Sequence, residues 1–160
     1  MNPRLDAVKA SPAAYQAMLA LEMSVRKSSH LEPSLIELVK MRASQINGCA
    51  YCLDMHSKDA RAAGETEQRL YALNAWEETP FFTDRERAAL AWTEAVTLVT
   101  QGHVSDAVYE EARQRFSEEE LVNLSLAIVT INAWNRLSIA FRAVPGEYQP
   151  AAPKTQGARP

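Results

Sequence analysis

Apolar residues recur at spacings of three and four through most of the chain, and strand-like alternation is nearly absent, so the pattern predicts helices. Ser11-Pro12 opens the first, with Ser as N-cap and Pro at the first helical position. Tyr15, Met18, Leu19, Leu21 and Val25 form its stripe, and KSSHLE breaks it. Pro33 opens the second, carrying Leu35, Ile36, Leu38, Val39, Met41 and Ile46. Asn47-Gly48 stops it, because both residues tolerate the left-handed conformation that ends helices. A third helix then starts at Cys49 to Ala50 and runs to Ala63, before Gly64. Thr66 opens a fourth through Leu70, Leu73 and Trp76, and EETPFFTD is a loop. Thr83 and Glu86 form a capping box that starts a fifth helix, which Gly102 stops. Ser105 caps a sixth. Ser117 and Glu120 repeat the capping box and launch the longest, to about Arg142. The predicted class is all-α, with about seven helices. A single domain is expected over residues 1–144, followed by a mobile Pro-rich tail over 145–160.

The last helix carries Leu124, Leu126, Ile128, Val129, Ile131, Trp134, Leu137, Ile139 and Phe141, more than one face can hold. A helix apolar nearly all round is either central or shared with another subunit. Asn132, Asn135 and Arg136 interrupt it and need partners if buried, as ordinary core groups or as the lining of an interface or site. Trp76, Trp92 and Trp134 read as core, and His30 and His103 as surface or capping groups.

Composition narrows the options. The 160 residues are 47% apolar and 23% charged, enough for one sizeable core. The net charge of −3 and the scattering of 17 Lys and Arg argue against a nucleic-acid partner. No uninterrupted apolar run approaches the ~20 residues that span a bilayer, and no signal peptide is readable at the start, so no membrane partner is expected. Two cysteines in one CxxC, with none left to staple loops, suit a reducing cytoplasm.

That CxxC, Cys49 and Cys52, lies in ELVKMRASQINGCAYCLDMH, where the candidate chemistry concentrates. A thiol becomes a good nucleophile only as thiolate, and three features favour that form. The cysteines fall at a helix start, where unpaired N–H groups and the helix dipole favour negative charge. His56 is at i+4 from Cys52, on the same helix face, so thiol and imidazole can exchange a proton directly or through one water. Cys49 is close enough to Cys52 to form a disulfide. If the second and third helices pack antiparallel about Asn47-Gly48, Glu37 meets His56 across the hairpin and orients the imidazole. Tyr51, between the cysteines, is either a solvent-side spacer or a supporting proton donor. The structural alternative is zinc, for which Cys49, Cys52, His56 and Glu37 supply four possible ligands. It lacks the usual second knuckle. A thioredoxin fold is excluded because its CxxC needs flanking strands.

The run INGCAYCLDMHSKDARAAGE, with Glu37 upstream and HVSDAVYEEARQRFSEEELVNLSLAIVTINAWNR downstream, resembles the alkylhydroperoxidase AhpD core family. That family belongs to the carboxymuconolactone decarboxylase-like superfamily, and the resemblance covers about residues 12–143. It implies an AhpD-like helical bundle assembled as trimers or hexamers, with no bound metal or prosthetic group. It further implies a thiol peroxidase that reduces organic hydroperoxides and is re-reduced by an external dithiol donor of lipoyl type. By position, Cys52 would be the attacking thiolate, Cys49 the resolving thiol, His56 the proton relay and Glu37 its carboxylate partner. Better-characterised members carry a histidine immediately before the second cysteine, where this chain has Tyr51. Two rival readings remain. One is a lyase of the carboxymuconolactone decarboxylase type, with Glu37 and His56 as acid and base. The other is a non-enzymatic oligomer that senses redox state or binds zinc.

Overall fold

The computed structural model describes residues 2–150. Among these the fold is all-α, with eight α-helices and no strand. In order they are α1 (Ala7–Ala10), α2 (Pro12–Ser28), α3 (Pro33–Asn47), α4 (Ala50–Ala62), α5 (Glu67–Ala72), α6 (Asp84–Thr97), α7 (Asp106–Arg115) and α8 (Glu118–Phe141).

The helix starts follow from local chemistry. Thr83 and Ser117 each accept from the third residue of their helix and receive its Glu in return, closing both capping boxes. Ser105 and Thr66 cap α7 and α5 through their hydroxyls. Three details depart from the sequence reading. Asp6 caps the single turn of α1, too short to show a period. The fourth predicted helix is α-helical only to Ala72 and continues over Leu73–Glu78 as a tighter 3-10 segment with a kink at Ala75. The fifth ends at Thr97, short of Gly102, and Val99–Gln101 form a 3-10 turn. Thr97, Val99 and Thr100 are β-branched, and crowding against the preceding turn disfavours a regular helix there.

α3 is the central element, packed on α8, α4 and α6. Its faces feed two cores. Leu35, Ile36 and Val39 join Ala89 and Trp92 of α6 with Leu124 and Ile128 of α8. Leu38 and Met41 join Leu73, Trp76 and Leu90. Fully burying one such leucine contributes about 1.5–3 kcal/mol. A third, smaller cluster sets both cysteines against Ala43 of α3 and Ile131 of α8. The inner side of α8 is thus core, while Val122 (60% exposed) and Val129 (52%) face outward, which accounts for a helix apolar on more than one side.

Asn132 and Asn135 are partnered within the chain. Asn47 Nδ2 donates to the Oδ1 of both, at 2.9 Å each, and Asn135 Nδ2 donates to Ser44 Oγ at 3.0 Å. These bonds fix α8 to the end of α3, beside the CxxC corner. Arg136 is exposed and donates back to Asn132. Trp76 and Trp92 are buried, whereas Trp134 is half-buried. His30 and His103 are exposed, both with positive φ. Residues 145–150, expected to begin a mobile tail, carry no helix but lie against α4. Lys58 Nζ donates to the carbonyls of Gly146 and Tyr148, and Asp54 accepts from the Gly146 N–H. Residues 151–160 of the expected tail lie outside the described residues.

Candidate active site

Gly48, at φ +70°, ends α3 in the left-handed conformation and turns the chain into α4. Cys49 follows as the N-cap of α4, its own N–H bonded to the Ser44 carbonyl at 3.0 Å. Cys52 is the third helical residue, and its backbone N–H points at Cys49 Sγ. The two sulfurs are joined in a disulfide with the Cα atoms 5.4 Å apart. Both cysteines are buried, but only Cys52 lines the adjoining cavity of about 550 Å³.

One turn further, His56 is also buried, and its Nδ1 lies 2.8 Å from Glu37 Oε2 across the α3–α4 corner. With Nδ1–H donating to the carboxylate, Nε2 is the nitrogen left to accept a proton. Glu37 Oε1 is 3.1 Å from Arg26 Nη2, and Arg26 Nε donates to Glu22 Oε1 at 2.7 Å. Lys40, whose side chain is 1% exposed, ends on the same Glu22 oxygen. Burial pushes the Glu37 carboxyl up, but the hydrogen bond from His56, with the charges of His56, Arg26 and Lys40, holds it below the ordinary glutamate value. Burial pushes the Lys40 ammonium down, only partly offset by Glu22.

The sequence reading missed several groups around this core. Asp59, one turn beyond His56, brings a carboxylate oxygen to the pair, so that Glu37, His56 and Asp59 have potential ligand atoms within 4.8 Å of one another. Asp59 accepts from the Tyr148 hydroxyl at 2.8 Å. Burial, then this hydrogen bond and the Asp59 charge, push the Tyr148 phenol up to about 12. Tyr15 and Trp134 meet edge to face at 5.1 Å on another wall, and Tyr51 lines the cavity as well. The i+3 spacing of Asp59 from His56 was a readable signal. Arg26, Lys40 and Tyr148 gave none, because nothing local in the sequence ties them to the cysteines.

The donor set fits a metal poorly. The Cys49 and Cys52 sulfurs are bonded to each other, Glu37 is already held by His56 and a guanidinium, and Asp59 by a phenol. The sulfurs of the alternative zinc set are thus paired with each other, and the third oxygen or nitrogen donor beside Glu37 and His56 is Asp59.

The carboxymuconolactone decarboxylase family model matches residues 12–95, more than half of the chain. The chain belongs to this family. The matched span contains Glu37, Cys49, Tyr51, Cys52, His56 and Asp59, whereas Trp134 and Tyr148 lie beyond it. Among similar proteins, the uncharacterised YdfG of Bacillus subtilis is 44% identical over 88% of this chain and 95% of its own length. A crystal structure of a protein of unknown function from Agrobacterium tumefaciens, provisionally designated antioxidant defence protein AhpD, is 44% identical. It superposes with a TM-score of 0.88 over 92% of this chain and all of that one. The debrominase Bmp8, solved as a cysteine-to-alanine variant with 2,3,4-tribromopyrrole, shares the fold (TM-score 0.78, 21% identity, 88% of this chain and 74% of that one). The chain is thus an AhpD-like member of the carboxymuconolactone decarboxylase family.

Proposed function

We propose that this protein is a thiol-dependent peroxidase that reduces organic hydroperoxides through the Cys49/Cys52 dithiol. The observation that carries the reading is that Cys52 alone of the pair faces the cavity, one helical turn from a His56 already oriented by Glu37. In the reduced protein the Cys52 thiol passes its proton to His56, and the resulting thiolate attacks the terminal peroxide oxygen. The O–O bond breaks, Cys52 becomes a sulfenic acid, and the leaving alkoxide takes a proton from His56 to depart as alcohol. Glu37 holds the imidazole through Nδ1, leaving Nε2 for proton transfer, and the His56 hydrogen bond with the nearby Arg26 charge favours the Glu37 carboxylate. The Cys49 thiol then condenses with the sulfenic acid, forming the disulfide and releasing water. An external dithiol, of lipoyl type or similar, reduces that disulfide by exchange and leaves as its own disulfide. The outward apolar stripe of Val122, Leu126 and Val129 supports assembly as a homo-oligomer, a trimer or hexamer, which light scattering measures directly.

The test is stopped-flow mixing of the reduced protein with a hydroperoxide, followed by turnover with a panel of dithiols including dihydrolipoamide. One disulfide formed per hydroperoxide consumed supports the reading; no thiol loss on mixing contradicts it. A second reading is favoured by the family match and by the buried Glu37–His56 pair, which sets an acid and a base side by side. It is a lyase acting on a lactone acid, and it requires activity to survive replacement of both cysteines by serine.

A further inference from the structure

The reacting O–O group alone accounts for only a small part of the chamber beside Cys52. Hydrogen peroxide is about the size of two waters, roughly 60 Å³ from the ~30 Å³ share of each. The cavity is about 550 Å³, the size of sites that take organic ligands. Its lining mixes the charged groups Arg26, Glu37, His56 and Asp59 with the aromatic and apolar Tyr15, Leu19, Tyr51, Met55 and Trp134. Tyr148 belongs to the same lining, its hydroxyl bonded to Asp59 beside the Glu37–His56 pair.

Tyr148 comes from outside the helical bundle. Three residues of α4, the helix that bears Cys52 and His56, hold its segment: Asp54 on the Gly146 N–H, Lys58 on two carbonyls, and Asp59 on the Tyr148 hydroxyl. The residues that fasten this segment sit at i+2, i+6 and i+7 from Cys52, so the ring's position is set relative to the reactive sulfur. An aromatic side chain brings a large apolar surface at a small entropy cost, which suits it to contacting a ligand body.

We propose that Tyr148, delivered by the C-terminal segment, is a specificity-determining residue of the chamber that contacts the apolar body of an organic hydroperoxide. The proposal rests on the peroxidase reading for the word hydroperoxide, but the chamber's preference for an apolar ring is separable from it. The body contacts the aromatic lining, Tyr148 included, with the hydroperoxy end reaching Cys52, which lines the same cavity.

Two measurements on the full chain test this. The first is kcat/KM for cumene hydroperoxide relative to hydrogen peroxide in wild type, Tyr148→Ala and Tyr148→Phe. The preference for cumene hydroperoxide falls about tenfold in Tyr148→Ala, mainly through KM, the scale of losing apolar contact in a pocket. Tyr148→Phe keeps the preference because the ring remains. The second is calorimetric binding of 2-phenyl-2-propanol, the unreactive alcohol product, to the disulfide form of the same proteins. Saturable binding that Tyr148→Ala weakens and Tyr148→Phe retains supports the proposal even if no peroxide is reduced, in which case the peroxidase reading alone falls. Peroxide reduction with an equal substrate ratio in wild type and Tyr148→Ala, together with equal or absent binding of the alcohol, overturns the proposal and leaves the peroxidase reading standing.

Discussion

His56 Nδ1 lies 2.8 Å from Glu37 Oε2, a contact made between two helices that meet at a left-handed glycine. Nineteen residues separate the pair, yet the Gly48 corner makes α3 and α4 antiparallel neighbours, and the contact falls inside their interface. Both groups are buried, so the imidazole is held in one orientation by a partner with little exposure to solvent.

Glu37→Gln tests what that orientation does. The amide keeps the shape but loses the charge, and the imidazole is no longer stabilised as a proton carrier. Cys52 oxidation by hydroperoxide slows by about 10²-fold, the usual scale of a positioned acid–base group, and the pH–rate profile shifts. Stopped-flow rates measured from acid to alkaline pH check this. An unchanged profile removes the pair from the mechanism.

The same carboxylate makes stability depend on pH. Its folded pKa lies below the ordinary 4.5, so its contribution is fully present above pH 4.5 and is lost as pH falls through the folded value. The gap in Tm between wild type and Glu37→Gln is therefore widest near neutral pH and narrows below 4.5. Thermal melts across that range measure it, and a gap that widens on acidification contradicts the assignment.

The buried Lys40 forms an ion pair with the half-buried Glu22 beside the site. Lys40→Met leaves Glu22 without its buried partner and lowers stability by about 3 kcal/mol, and the double variant Glu22→Met/Lys40→Met recovers most of the loss. Urea denaturation of wild type, the two single variants and the double variant provides the numbers. Additive losses would show that the pair is not coupled.

Asn135 is fully buried and bonds both Asn47 and Ser44 at the corner before Cys49. Asn135→Ala leaves those groups short of a partner and lowers stability by about 2 kcal/mol, read by the shift in urea midpoint. A neutral substitution would mean that the corner does not depend on this network.

Much of the architecture was legible because its signals are local. Ser117 and Glu120 announce the start of α8 within four residues, and Asn47-Gly48 announces both the end of α3 and the position of the cysteines at a helix start. Glu37 and His56 were legible as a pair because one short hairpin connects their helices. Tyr148 was not. It reaches Asp59 across 89 residues from a Pro-rich stretch whose composition reads as tail. Trp134 was read as core from helical spacing, which does not say whether the face it lies on meets protein or a cavity. The single turn of α1 rests on one capping carboxylate and has no period to detect.

The central claim is that Cys52, and not Cys49, meets the oxidant. Replacing the partner cysteine by serine leaves no thiol to resolve a sulfenic acid, so dimedone added with one equivalent of cumene hydroperoxide marks the residue that was oxidised. The account predicts a dimedone adduct on Cys52 in the Cys49→Ser variant, and little or none on Cys49 in Cys52→Ser, each located by mass spectrometry of the tryptic peptides. An adduct on Cys49 at a comparable rate in Cys52→Ser, or no adduct on Cys52 in Cys49→Ser, would contradict it.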